Sequence, residues 1–141
     1  MTRGTLILIR GLPGAGKSTF GKMYATQLAL SNTPVAGPFE ADQYFENTET
    51  GAYEYNPGYL RQAHEQCQSK TRDAMQRGVS FVIVSNTFTT ERELAPYLDM
   101  ANQLNYSVTS LVIENRHGEK SIHGVPEEAM DRMRNRFSVK L

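Results

Sequence analysis

The stretch TLILIRGLPGAGKSTF, residues 5–20, decides how the rest of the chain is read. Its first half is a continuous apolar run, Leu6 to Ile9, of the kind that forms a strand buried on both faces. Its second half contains glycine, four residues, glycine, lysine and serine. Glycines in that spacing let the backbone wrap with its N–H groups pointing inward, and the helix that follows adds the positive end of its dipole. Such a turn between a strand and a helix is a cradle for phosphate. Gly11, Leu12, Pro13, Gly14, Ala15, Gly16, Lys17, Ser18 and Thr19 are the expected cradle residues. The Lys17 amine is placed to reach β- and γ-phosphates, and the Ser18 hydroxyl to serve as a ligand of Mg²⁺.

Outward from this loop, strand and helix patterns alternate, which predicts βαβ units and a parallel sheet covered on both faces. Lys17 to about Leu30 reads as the first helix, ended by Ser31, Asn32 and Pro34. Val35 to Ala41 is a weaker second strand, interrupted by Gly37 and Pro38. The polar segment ENTETGAYEYNPG, residues 46–58, reads as a loop before a helix over Tyr59 to Arg77 that Gly78 closes. Val79 to Ser85 is the third strand, and Thr90 with Glu93 forms a capping box for a helix to about Leu104. Tyr106 to Ile113 is the fourth strand, and Pro126, Glu127 and Glu128 open a last helix. The expected architecture is a single α/β domain over residues 1–141, with four to five parallel strands flanked by helices.

Bulk composition narrows the classes of partner. Lys plus Arg and Asp plus Glu both number 15, so no overall positive charge points to nucleic acid or a membrane surface. A polyanion would need a local basic patch. The single cysteine, Cys67, cannot form an intramolecular disulfide or a cysteine metal cluster and reads as an inert helix thiol. No stretch approaches the ~18 apolar residues of a membrane span, and the first ten residues hold too short an apolar run for a signal peptide. The expected setting is reducing and cytoplasmic, with no membrane partner.

A hydrolytic NTPase normally carries an acid at the end of an apolar strand, holding Mg²⁺ through water. Here VSFVIVS runs into Asn86, Thr87 and Phe88 instead. Asp42, after the second strand, is the first acid beyond the loop placed to face a γ-phosphate, because ligands of open α/β sheets lie outside the carboxyl ends of the strands. Glu40 is its local rival, and a turn-capping role for Asp42 is the alternative. An aspartate there takes the proton of a hydroxyl acceptor, as a kinase requires.

The segments LIRGLPGAGKST, ADQYF, YEYNPGYLRQAHEQC, IVSNTFTTERELAPYLDMA and HGVPEEAMDRMRNRF, in that order, resemble the small P-loop kinases related to 5′-hydroxyl polynucleotide kinases, including the ATP-binding kinase domains of phages and bacteria. That resemblance implies a nucleoside-monophosphate-kinase-like fold with a short lid, ATP and Mg²⁺ as donor and cofactor, and transfer of the γ-phosphoryl to a hydroxyl. It places Asp42 as general base and ENRHGEKSIHGVP as the lid, with Arg116 and Lys120 at the positions that clamp the donor phosphates. It puts Asp42, Tyr44, Phe45, Asn86 and Thr87 on the acceptor side. Polynucleotide kinases carry an arginine three residues after the base and an acid after the third strand, where this chain has Phe45 and Asn86. The acceptors that follow are the 5′-hydroxyl of a polynucleotide or a small sugar, nucleoside or nucleotide-sugar hydroxyl. A regulatory ATP-binding module with little turnover is the third reading.

Tyr44, Phe45, Tyr53, Tyr55 and Tyr59 crowd the acceptor side and either stack a base or sugar or anchor the loop. In the last helix Met130, Met133 and Phe137 form an apolar stripe expected to pack on the sheet, while Arg132 and Arg136 share a face. His64 reads as a surface residue, and His117 and His123 lack the neighbours of a zinc site.

Overall fold

The computed structural model describes residues 1–121 and 123–141. The elements run β1 (Gly4–Arg10), α1 (Lys17–Leu30), β2 (Val35–Phe39), a short 3₁₀ helix (Ala41–Phe45), a 3₁₀ turn (Pro57–Tyr59), α2 (Leu60–Gln76), β3 (Phe81–Asn86), α3 (Glu91–Leu104), β4 (Tyr106–Val112) and α4 (Glu127–Arg136). All four strands are parallel, in the order β2-β3-β1-β4. The chain therefore crosses over α1 to the far edge, returns beside β1, and ends on the opposite edge.

Alternation along β1 explains why its apolar run is continuous. Leu6 and Leu8 enter a core with Val82, Val84 and the inner faces of α2 and α3, including Ala63, Cys67, Leu94, Tyr97 and Met100. Ile7 and Ile9 point to the other face and pack with Ile83 against Phe20, Tyr24, Ala25 and Leu28 of α1. Each such side chain contributes about 1.5–3 kcal/mol on burial. The cover is incomplete at β4, where residues 107–110 are exposed, so the two-sided burial expected of a parallel sheet holds for β1 and β3 only.

The second strand is shorter than its sequence suggests. It stops at Phe39, and a register irregularity between Ala36 and Phe39 accommodates Gly37 and Pro38 on what is an edge strand. Asp42 consequently sits in the 3₁₀ helix rather than on a strand end. That helix is held by side chains: the Ala41 N–H donates to Asn86 Oδ1 (2.9 Å) and Gln43 Nε2 donates to the Pro38 carbonyl (2.9 Å). Pro126 precedes α4 as its N-cap, one position before the expected start. The apolar stripe of α4 does not reach the sheet core; Met130, Met133 and Phe137 are half-buried. Among the described residues no helix is long and apolar enough to cross a membrane.

Candidate functional site

The loop between β1 and α1 is anchored from three sides. The Gly11 N–H donates to the Thr87 carbonyl (3.3 Å), the Ile113 N–H to the Arg10 carbonyl (2.7 Å), and the Lys17 amine to the Leu12 carbonyl (2.9 Å). Gly14 and Gly16 have φ of +80° and +100°, a region that costs other residues dearly. A Cβ on Gly14 would also lie 2.6 Å from the Ser121 backbone nitrogen, so the segment after β4 lies directly over the loop.

The start of α1 is bare. Among the described residues no side chain caps it and its first turn holds no acid, whereas α3 has the full Thr90–Glu93 capping box. Its first-turn N–H groups, with the dipole behind them, are left for an external anion. Lys17 stands within this region, and burial pushes its amine down to about 8, with Glu40 and then Asp42 pulling weakly upward. Seating an anionic group beside it would relieve that cost. These features, a positive-φ cradle and an uncapped helix start, fit the triphosphate that the loop's spacing suggests.

Glu40 and Asp42 approach the loop differently. Ser18 Oγ donates to Glu40 Oε1 at 2.5 Å, bringing a hydroxyl and a carboxylate oxygen together at the first turn of α1. Two hard oxygen donors side by side suit Mg²⁺, which is held by a few protein oxygens and keeps waters and phosphates as its remaining ligands. Asp42 Oδ1 accepts from the Tyr53 hydroxyl at 3.2 Å. Tyr53 in turn stacks on His123 from the segment after β4, with ring centroids 3.8 Å apart. Asp42 is thus held by one of two stacked rings and is near enough to Lys17 to act on its charge.

Other expected site residues are placed as follows. Asn86 is turned inward, accepting from Ala41 and donating to the Cys67 sulfur (3.6 Å), so it positions the Asp42 helix. Thr87 contributes its carbonyl to Gly11. Phe45 is 6% exposed, in edge-on contact with Tyr44, Tyr53 and Tyr55, and belongs to the core. Burial raises the Cys67 thiol above its ordinary value. Arg116 is exposed and paired with Glu114, and the Lys120 backbone packs on Gly14. Ile122, inside the lid segment, lies outside the described residues. Arg136 Nε donates to Thr89 Oγ1 (2.9 Å) rather than facing the loop.

Three features have no clear sequence signal. Ser85 has a buried hydroxyl without a partner among the described residues. By alternation it shares the α1 face of β3 with Ile83. Arg10 is only 3% exposed, and its guanidinium donates to the carbonyls of Phe88 (3.0 and 2.8 Å) and Ser138 (2.5 Å) and lies 5.0 Å from the Phe137 ring. It ties the C-terminal segment to the strand that feeds the loop. Phe137 and Val139, held there, join Leu12, Pro13, Met130 and Arg134 around a cavity of about 550 Å³. That volume is within the usual range for a ligand pocket.

Residues 6–139 match the family described as "AAA domain" (AAA_33). Human NEDD4-binding protein 2 is 29% identical over an alignment 135 residues long that covers 91% of this chain and 7% of that protein. A chain of the Pnkp1/Rnl/Hen1 RNA repair complex superposes with a TM-score of 0.65 at 14% identity, covering 95% of this chain and 44% of that one. The Mycobacterium tuberculosis APS kinase CysC, in complex with AMPPNP and APS, does so with a TM-score of 0.58 at 12% identity, covering 94% and 69%. The chain therefore spans a small fraction of NEDD4-binding protein 2 and under half of the repair-complex chain, and at these identities the structural likenesses speak to the fold. With the phosphate loop, the parallel sheet and a match over nearly the whole length, the chain belongs to the AAA domain family AAA_33, with a P-loop fold like that of the kinase it superposes on.

Proposed function

We propose that this chain is an ATP- and Mg²⁺-dependent phosphotransferase that moves the γ-phosphoryl group to a hydroxyl acceptor. The observation that carries the reading is the grouping of Lys17, the Ser18–Glu40 oxygen pair and Asp42 at the start of an uncapped α1. Ser18 and Glu40 hold Mg²⁺, which supplies neutralising charge for the donor phosphates. Lys17 and the first-turn N–H groups bind and orient the triphosphate. Asp42 accepts the proton of the acceptor hydroxyl as that oxygen bonds to the γ-phosphorus and the bond to the bridging β–γ oxygen breaks, leaving ADP. Tyr53 keeps the carboxylate turned to the loop through its 3.2 Å hydrogen bond. The cavity beside Leu12 and Pro13, with its apolar walls and Arg134, takes the base of the nucleotide.

Two acceptor classes suit this site: a polynucleotide 5′-hydroxyl, supported by the resemblance and by the likeness to a Pnkp1 complex chain, and a small-molecule hydroxyl, supported by the core position of Phe45. The test is incubation with Mg·ATP and a panel of 5′-hydroxyl RNA, 5′-hydroxyl DNA and small hydroxyl compounds, followed by analysis for phosphorylated product. Product that disappears in Asp42→Ala while nucleotide binding persists supports the reading. Nucleotide binding without product from any acceptor turns it towards a regulatory module.

A further inference from the structure

A second cavity, of about 530 Å³, opens beside the 3₁₀ helix that carries Asp42. Half of its lining is rings, Tyr44 and Phe45 from that helix, Tyr55 from the loop, and Tyr59 from the turn before α2; the other half is polar. Tyr55 and Tyr59 are about half exposed. Tyr55 also stacks on Tyr53, at 6.4 Å and 9° between planes, and Tyr53 holds Asp42. The cavity is thus linked to the candidate base through one stacked pair.

The charge around it is one-sided. Glu46 and Glu54 line it, and neither lysine nor arginine does. The asymmetry extends along the chain: between Lys22 and Arg61 there are Glu40, Asp42, Glu46, Glu49 and Glu54, with no lysine, arginine or histidine. Arg61 itself is bound to Glu65, from the segment after β4 the group that faces Tyr53 is the His123 ring, Arg116 is bound to Glu114, and Lys17 and Lys120 lie at the phosphate loop rather than on the cavity wall. A phosphate held in the cavity beside the acceptor hydroxyl would meet Glu46 and Glu54, and among the described residues that line it there is no lysine or arginine to receive it.

We infer that the acceptor taken by this aromatic cavity is a ring compound of roughly nucleoside size that carries no phosphate, uncharged or cationic, its ring held on the tyrosines and its hydroxyl delivered to Asp42. Stacking on half-exposed tyrosines accepts any flat or sugar ring, and Glu46 and Glu54 select against anions and favour amines. The inference rests on the phosphotransferase reading and names its substrate class.

The deciding comparison is adenosine against adenosine 3′-monophosphate, which share the 5′-hydroxyl and differ by one phosphate, assayed with Mg·ATP beside glucosamine and a 5′-hydroxyl oligothymidylate. The expected result is a kcat/KM at least tenfold higher for the better phosphate-free compound than for either phosphate-bearing one. Combined Glu46→Gln and Glu54→Gln is expected to narrow that ratio to threefold or less by raising the rate on the phosphate-bearing compounds. Tyr59→Ala is expected to raise the acceptor KM several-fold with kcat nearly unchanged. Equal or better use of adenosine 3′-monophosphate or the oligonucleotide overturns the inference and leaves the phosphotransferase reading standing. Absence of product from all four overturns both. If the double variant fails to fold, the ratio in the unmodified protein decides.

Discussion

Raising the pH is expected to weaken nucleotide binding through one side chain. Burial lowers the Lys17 amine from 10.5 to about 8, the nearby Glu40 and Asp42 carboxylates offsetting only part of that. A triphosphate on the loop restores the amine towards its ordinary value, so the complex keeps a proton that the free protein sheds. A pKa raised on binding gives affinity that is complete below the free value and is lost as the pH climbs towards the bound one, here from about 8 to about 10.5. From about pH 7.5 to 9.5 the loss is about twentyfold, or ~1.8 kcal/mol. Near pH 9, binding takes up about 0.9 proton per complex. Isothermal titration with a non-hydrolysable ATP analogue, in two buffers of different ionisation enthalpy, reads both quantities. Lys17→Met is expected to bind weakly at every pH and without the slope. A flat profile with no proton uptake in the unmodified protein, or a slope that survives in Lys17→Met, would show that the Lys17 amine does not gain a proton when the nucleotide binds.

The same amine sets a stability trend: without nucleotide, the unfolded chain holds a proton that the folded one lacks, so denaturant midpoints are expected to rise from about pH 8 towards 10, but not in Lys17→Met. Asp42→Asn is expected to lower phosphotransfer about 10²- to 10⁴-fold while analogue affinity changes less than twofold, separating the base from the binding residues in a single-turnover assay. Glu40→Gln is expected to raise the Mg²⁺ concentration for half-maximal rate about tenfold, and an unchanged requirement would remove Glu40 from the metal site. Arg10→Met leaves the Phe88 and Ser138 carbonyls without their donor, an expected loss of about 2–5 kcal/mol by urea denaturation. A several-fold rise in nucleotide KM should accompany it as Phe137 and Val139 lose their tether.

Much of the fold was legible because it is local. The apolar run Leu6–Ile9, the glycine spacing of the loop, the Thr90–Glu93 box and Gly78 each act within a few residues, and the chain forms β1, α1, α3 and the end of α2 where those signals stand. The second strand was less legible, since its pairing on a sheet edge and its early end at Phe39 depend on Asn86 and Gln43 capturing the chain beyond it. The site divides in the same way. The phosphate loop expected at residues 11–19 is written in consecutive residues, because the backbone N–H groups and the lysine it needs lie within a single turn.

A strand, a phosphate loop and a helix are readable from consecutive residues, and they point to nucleotide binding. Only the tertiary structure decided that Glu40 meets Ser18, that Tyr53 holds Asp42, that Asn86 faces inward, and that a buried Arg10 anchors a tail more than a hundred residues away. Those relations join residues far apart in the chain through single hydrogen bonds, whose partners are chosen by packing. No spacing rule along a chain encodes a partner that the sheet order brings alongside.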